Sequence, residues 1–328
     1  MRPRPRRLLV VALIAFAPVV AQMEQAAAPR ATRTVRLDDI INWKTVGANA
    51  LSNDGQWFAY RIAAIEGDAQ LVVRRTRAEK ELKFDLGETP QGGGRGGGRG
   101  RGAIAGGGAS ATLAFSDDSK WLAFTTYPSH TEQQRLRRQR RPVNSSVSVV
   151  NLETGEKRDY ARIRRFAFSG EAAKWIALHR QPAQPAAGAA GGRGEAPTGG
   201  RGGAAAGAGA QATPEAARGT DLILRELGTG QEVNVGNVSE FSFTRDGKLL
   251  ATVIDAQDKI GNGIQLRDLA KGTVVVLDHG DASYERMSWT ETGEALVALK
   301  GTDDRTLRDK RYTVVGFAGF GSGEPKKT

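Results

Sequence analysis

The sequence predicts an all-β fold, a β-propeller of four-stranded blades, and three observations predict it. Five segments share one grammar: LSNDGQWFAYRI at 51–62, FSDDSKWLAFTT at 115–126, FSGEAAKWIALHR at 168–180, FTRDGKLLATVI at 243–254 and WTETGEALVALK at 289–300. In each, an apolar or aromatic residue and a Ser or Thr lead into a tight turn, and a short apolar run follows. That is the pattern of a β-hairpin. A second strand–turn–strand stretch follows most copies, as in VSVVNLETGEKRDY at 147–160 and GIQLRDLAKGTVVVL at 263–277. The turn positions Gly55, Ser119, Ala173, Gly247 and Gly293 give the third observation. With two glycine-rich stretches set aside, most intervals between them fall to roughly 40–45 residues, the period of a propeller blade. About five blades are recognisable, and the ring is expected to be incomplete.

The N-terminus, MRPRPRRLLVVALIAFAPVVAQ, combines four arginines, an apolar run from Leu8 to Val20 and small residues at Val19 and Ala21. This predicts a cleavable signal peptide over 1–21, hence a periplasmic or secreted chain with no membrane association after cleavage. A flexible segment at 22–34 is expected to follow, and the propeller to occupy 35–328. The sequence contains no cysteine, so neither disulfides nor lipoprotein acylation are expected.

Within the propeller, insertions are expected near 89–110, 129–143 and 183–218. The first contains QGGGRGGGRGRG, a composition suggestive of RNA contact. Neither glycine-rich insertion interleaves aromatic residues with its arginines, and an exported chain does not meet cytosolic RNA. No nucleic-acid partner is therefore expected, and both stretches read as disordered, solvated loops. The RLRRQRR run at 135–141 reads as another solvated loop, forming at most an exposed helical turn. The net charge of +11 resides in the signal peptide and these loops, and the remaining chain is close to neutral. Trp57, Trp121 and Trp175 occupy one repeat position and are expected to pack between blades.

The stretch RLDDIINWKTVGANALSNDGQWFAYRI at 36–62, followed by EGDAQLVVR at 66–74, resembles the start of secreted bacterial serine peptidases of the prolyl oligopeptidase family. The similarity is to the dipeptidyl-peptidase and acylaminoacyl-peptidase branch, and the repeats also resemble those of TolB-like propellers. The resemblance implies a propeller preceding an α/β-hydrolase domain and restricting which peptides reach the catalytic Ser, Asp and His. The hydrolase would be the missing partner and peptides the substrates. The rival expectation is a free-standing periplasmic TolB-like scaffold that binds a protein on the propeller face. A ring lacking its closing blades is also expected to self-associate.

Enzymatic chemistry is not legible in these residues. The nucleophile motif G-x-S-x-G does not occur; GFGSGE at 319–324 comes nearest, but Phe320 stands two before Ser322. His130, His179 and His279 are scattered and read as ordinary surface or strand residues. The loop DAQDKIGNG at 255–263 lacks the glycine placement and distal glutamate of a calcium loop. Glu66 and Asp68 lie at a hairpin where the family sometimes holds a peptide's amino terminus, and solvation is the expectation for both. No catalytic, cofactor-binding or metal-binding residue is assigned, and no cofactor is expected.

Overall fold

Five tight turns of one chemistry organise the fold. At Gly55, Ser119, Ala173, Gly247 and Gly293 the backbone φ is +67°, +60°, +45°, +71° and +73°, a left-handed conformation that reverses the chain within a hairpin. The Ser or Thr before each turn stitches it together. Ser52 Oγ donates to Asp54 at 2.5 Å and accepts from the Trp57 N–H at 2.9 Å. Ser116 does the same with Asp118 and Trp121 at 2.6 and 2.9 Å, and Thr244 with Asp246 and Leu249 at 2.7 and 3.1 Å. These bonds explain the recurrence of Ser/Thr-x-Asp in the repeat. In the third and fifth copies, where no Asp occupies that place, Ser169 and Thr290 still accept from Trp175 and Ala295, each at 3.1 Å.

The computed structural model describes residues 34–328 apart from 35, 42, 65–66, 90–111, 183–218, 257, 305, 307–309, 321–324 and 328. The expected signal peptide over 1–21, nearly all of the 22–34 segment and the bulk of both glycine-rich insertions lie outside the described residues. Contacts divide the chain into Met1–Ile40 and Ile41–Thr328. Helix α1 (Leu37–Ile41) lies at that boundary, and the blades lie in the second unit.

The first blade is the antiparallel sheet β1 (Lys44–Leu51), β2 (Trp57–Ala64), β3 (Ala69–Arg75) and β4 (Glu81–Gly87), and the second is β5 (Leu113–Phe115), β6 (Trp121–Thr126), β7 (Ser146–Asn151) and β8 (Lys157–Ala161). The third comprises β9 (Ile163–Phe168), β10 (Trp175–Arg180), β11 (Thr220–Glu226) and the first half of β12 (Glu232–Phe243). Strand β12 turns at Asn237, whose φ is +56°, and continues as the inner strand of the fourth blade, beside β13 (Leu249–Ile254), β14 (Gly263–Asp268) and β15 (Val274–His279). The fifth blade is β16 (Ser283–Trp289), β17 (Ala295–Thr302), β18 (Arg311–Ala318) and β19 (Lys326–Lys327).

Each strand alternates its side chains between the two sheet faces, so the second, third and fourth blades each have one face toward the preceding blade and one toward the next. Four apolar clusters fill the gaps. Trp57, Ala59 and Leu71 meet Leu122 and Phe124. Ala123, Val147 and Val149 meet Phe166, Ile176 and Leu178. Ala177, Leu222 and Leu224 meet Phe241 and Leu250, and Ala251, Ile264 and Leu266 meet Leu296, Ala298 and Phe317. Trp57, Trp121 and Trp175 all lie in these clusters, as their shared repeat position predicts. A polar latch adds to the second junction: Arg225 donates to Tyr160 Oη at 2.9 Å and to Glu232 at 3.0 Å, while Tyr160 donates to Glu232 at 2.6 Å. Burial and the Glu232 carboxylate push the Tyr160 hydroxyl up to about 12, so it stays protonated and able to donate.

The basic run inside the second blade departs from the loop expectation. His130–Arg138 is helix α2, capped by Ser129, whose side chain accepts from the Glu132 N–H. Gln133 is fully buried on its inner side and donates to the carbonyl of Pro128 at 3.0 Å and to that of Glu88. Arginines face outward around this one anchored side, which charge patterning alone concealed. Among the described residues no helix is long and apolar enough to cross a membrane.

Candidate functional site

The residue that opens each repeat ends the inner strand of its blade. In the third, fourth and fifth blades these residues are Phe168, Phe243 and Trp289. They line a cleft of about 650 Å³ between β9, β12 and β16, together with Phe241, Met287 and the turn residues Thr244, Arg245 and Glu291. Trp289 is fixed by its indole N–H, which donates to the Ser242 carbonyl at 3.2 Å, and by Phe320, packed edge-on at 5.3 Å between ring centres. Phe241 and Phe243 meet edge-to-face at 6.3 Å. A cleft of this volume with aromatic walls is in the size range of small-ligand sites.

Arg165, on β9, supplies the charge. Its guanidinium lies over the Phe241 ring, 4.7 Å from the centroid, a cation–π arrangement that fixes a planar cation against an apolar wall. Burial lowers its pKa from the ordinary arginine value, opposed by the attraction of Glu240, and the guanidinium remains charged. Among the described residues Arg165 has no ion-pair partner within 4 Å. Glu240 is held back from the cleft by its own bonds: it accepts the Met287 N–H at 3.1 Å and the Arg286 N–H, and burial raises its pKa. Arg286 reaches this position through a bulge in β16, with φ at +56°. The result is a half-buried cation in the cleft lining, stacked on Phe241 beside an aromatic trough.

The rim is tied across three blades. Arg245 pairs through Nε with Glu171 and through Nη1 with Glu291, each at 3.0 Å. The Glu171 N–H donates to the Arg245 carbonyl at 3.0 Å. That approach requires Gly170, since a Cβ there would lie 2.4 Å from the same oxygen. The lining holds hydroxyls and arginines and, among its described residues, no imidazole to activate a hydroxyl.

The residues singled out in the sequence lie elsewhere. His179 is buried in β10, 2.7 Å from the Val238 carbonyl and 3.1 Å from the Arg164 guanidinium, joining the third and fourth blades. Burial first, then the Arg164 charge, lowers its pKa to about 4. His130 pairs with Glu88 at 3.0 Å on α2, and His279 is exposed at the end of β15. Asp68, expected to be solvated, accepts the His130 N–H at 2.7 Å. In the 255–263 loop Asn262 accepts from the Ala256 N–H at 2.7 Å and donates to Asp255 at 3.3 Å, the bonding of a plain turn. Glu66 and Ser322 lie outside the described residues. Arg165 was missed because RIRRFAF reads as one more basic stretch. The only available signal was its placement three residues before the repeat's leading aromatic, Phe168.

No family model and no curated protein matches the sequence. Among solved structures the chain is similar to the β-propeller domain of the Trilobed protease from Pyrococcus furiosus, at 10% identity and a TM-score of 0.41 over 88% of this chain and 71% of that one. It is similar to prolyl oligopeptidase B from Galerina marginata at 13% identity and a TM-score of 0.41, over 88% of this chain and 38% of that one. Hydrazine synthase from Kuenenia stuttgartiensis is similar at 12% identity and a TM-score of 0.39, over 85% and 64% respectively. The chain thus spans less than two thirds of the length of the last two. Its own blades, each stacked face to face on the next through an apolar cluster, make it a β-propeller domain.

Proposed function

We propose that the chain is the non-catalytic, substrate-gating propeller of an exported serine peptidase, and that the cleft between β9, β12 and β16 holds peptide. The Arg165 cation, with no ion-pair partner within 4 Å among the described residues and set beside aromatic walls, carries this reading. It offers a peptide carboxylate a charge-assisted contact and offers neighbouring apolar side chains a stacking surface. The resemblance of residues 36–74 to the N-terminal stretch of such peptidases, and the signal-like N-terminus, support the enzyme class and the export. The cleft supplies recognition, while a hydrolase domain would supply the nucleophile, base and oxyanion hole.

The test is fluorescence anisotropy with labelled peptides carrying an acidic residue beside an aromatic one, alongside amidated neutral controls. Acidic peptides are expected to bind, with affinity falling at least tenfold in Arg165→Gln and falling with added salt. The purified chain should release no chromophore from aminoacyl or prolyl substrates. Binding indifferent to Arg165→Gln would remove the site, and hydrolysis by the chain alone would remove the non-catalytic role.

A further inference from the structure

The fifth residue of a blade's second strand lies on the face turned to the next blade, and two junctions show how that place is filled. In the third blade it is His179, buried and set edge-on against Phe241 of the fourth blade at 5.7 Å between ring centres. In the fourth it is Val253, buried in the cluster shared with the fifth blade. In the first blade the same place holds Arg61, which is half-buried. Its guanidinium donates from Nη2 to Thr89 Oγ1 at 2.8 Å, and among the described residues no ion pair engages it. Beside it, between the first and second blades, lies a pocket of about 140 Å³.

The pocket has apolar walls and a polar border. Leu71 and Leu86 of the first blade and Leu113 and Phe124 of the second form the walls, all of them part of the first inter-blade cluster. These walls are held apart by fixed contacts. Phe84 packs against Phe124 at 5.3 Å between ring centres, and the Tyr127 N–H donates to the Leu86 carbonyl at 2.8 Å. That second approach requires Gly87, since a Cβ there would lie 2.0 Å from the Tyr127 carbonyl oxygen. A gap framed in this way does not close by local collapse. Arg61, Thr89 and Thr112 supply the polar border, and Ala48 joins the lining where the register of β1 slips between Gly47 and Asn49.

We infer that this pocket binds a small aromatic monocarboxylate, its ring against Leu71, Leu86, Leu113 and Phe124 and its carboxylate on the Arg61 guanidinium. The size selects the ring: an apolar cavity of about 150 Å³ stays dry when empty and accepts benzene. The cation selects the anion, because a planar guanidinium pairs with a carboxylate through charge-assisted hydrogen bonds. The lining holds no carboxylate to receive an ammonium group, which disfavours a zwitterionic amino acid. The pocket shares no lining residue with the cleft around Arg165, so the inference does not rest on peptide binding there.

The test uses the full chain at neutral pH, with benzoate and its neutral isostere benzamide, followed by leucine-methyl NMR and calorimetry. The cleft around Arg165 has no leucine in its lining, so ring-current shifts at Leu71, Leu86 and Leu113 locate the ligand in this pocket. Benzoate should shift these methyl groups saturably and bind about tenfold more tightly than benzamide. Arg61→Gln should remove that preference while benzamide still binds, and Arg165→Gln should leave both affinities unchanged. Ala48→Trp, at an exposed position of the lining, should abolish the shifts; Arg61→Met replaces any Gln variant that loses the wild-type circular dichroism. Three unshifted leucines at about 20 mM benzoate would overturn the inference. So would equal affinity for benzoate and benzamide, or a preference that survives Arg61→Gln. Binding that appears only once residues 92–108 are deleted would assign the pocket to the chain's own insertion, and would overturn it as well.

Discussion

Gly55 and Gly247 hold the same place in the repeat and the same left-handed backbone, yet their surroundings differ. A Cβ at Gly247 would lie 1.8 Å from the Ser169 carbonyl oxygen of the neighbouring blade, whereas nothing lies within 4 Å of one at Gly55. Gly55→Ala should therefore cost about 1 kcal/mol, the price of left-handed backbone for an L-residue, while Gly247→Ala should cost about 3 kcal/mol or more by forcing two turns apart. Urea denaturation of the two variants checks this, and equal losses would deny the inter-blade contact. His179 supports a pH prediction. It is neutral when folded, with its pKa lowered to about 4 from 6.5. Its contribution is fully present above about pH 6.5 and is lost as the pH falls, because the unfolded chain takes up a proton that the folded chain refuses. Stability should drop by about 2 kcal/mol from this group between pH 7 and pH 5. His179→Gln should flatten that part of the profile, whatever its effect on stability at pH 7; an unchanged slope would place the titration elsewhere. The turn residues were legible in the sequence because a left-handed turn selects Gly and a Ser/Thr–Asp pair. The role of Arg165 was not legible, since nothing local distinguishes a cation stacked on a buried ring from one in solvent.

Strands and helices differ in how plainly they announced themselves. The first hairpin of each blade is written in its turn chemistry, and the apolar alternation after it names the face that each residue covers. Helix α2 is harder to see, because its stability is tertiary. Its arginine-rich sequence has little apolar surface, and the anchor is Gln133, a polar side chain buried by its bonds to the carbonyls of Glu88 and Pro128. Removing it takes the side-chain donor from the Glu88 carbonyl and leaves the Pro128 carbonyl with the Glu88 N–H at 3.2 Å, so Gln133→Ala should destabilise the domain by about 2 kcal/mol, against a few tenths for the exposed Arg137→Ala on the same helix. Thermal denaturation of the pair tests this, and equivalence of the two would make α2 a surface appendage. The passage of β12 from the third blade into the fourth was equally hidden. It depends on Asn237 adopting positive φ, a conformation that Asn tolerates but does not signal by itself.

Across the whole of Ile41–Thr328, one rule recurs: an apolar face, covered by the next blade, repeated until the described residues end. The leading residue of the repeat helps to close an inter-blade gap in the second blade, where Phe115 packs against the first cluster, while Leu51 of the first blade is exposed. In the last three blades the same position, as Phe168, Phe243 and Trp289, walls the cleft that holds Arg165. The repeat thus builds the scaffold and the recognition surface with one set of positions, and departures at single residues give the cleft its charge. Hydrogen–deuterium exchange with and without a saturating acidic peptide tests this assignment most directly. Protection is expected over 163–168, 241–245 and 285–291, the inner strands and turns that line the cleft, with the outer strands 81–87 and 274–279 unchanged. Protection confined to the outer strands, or none at a peptide concentration where anisotropy reports binding, would contradict it.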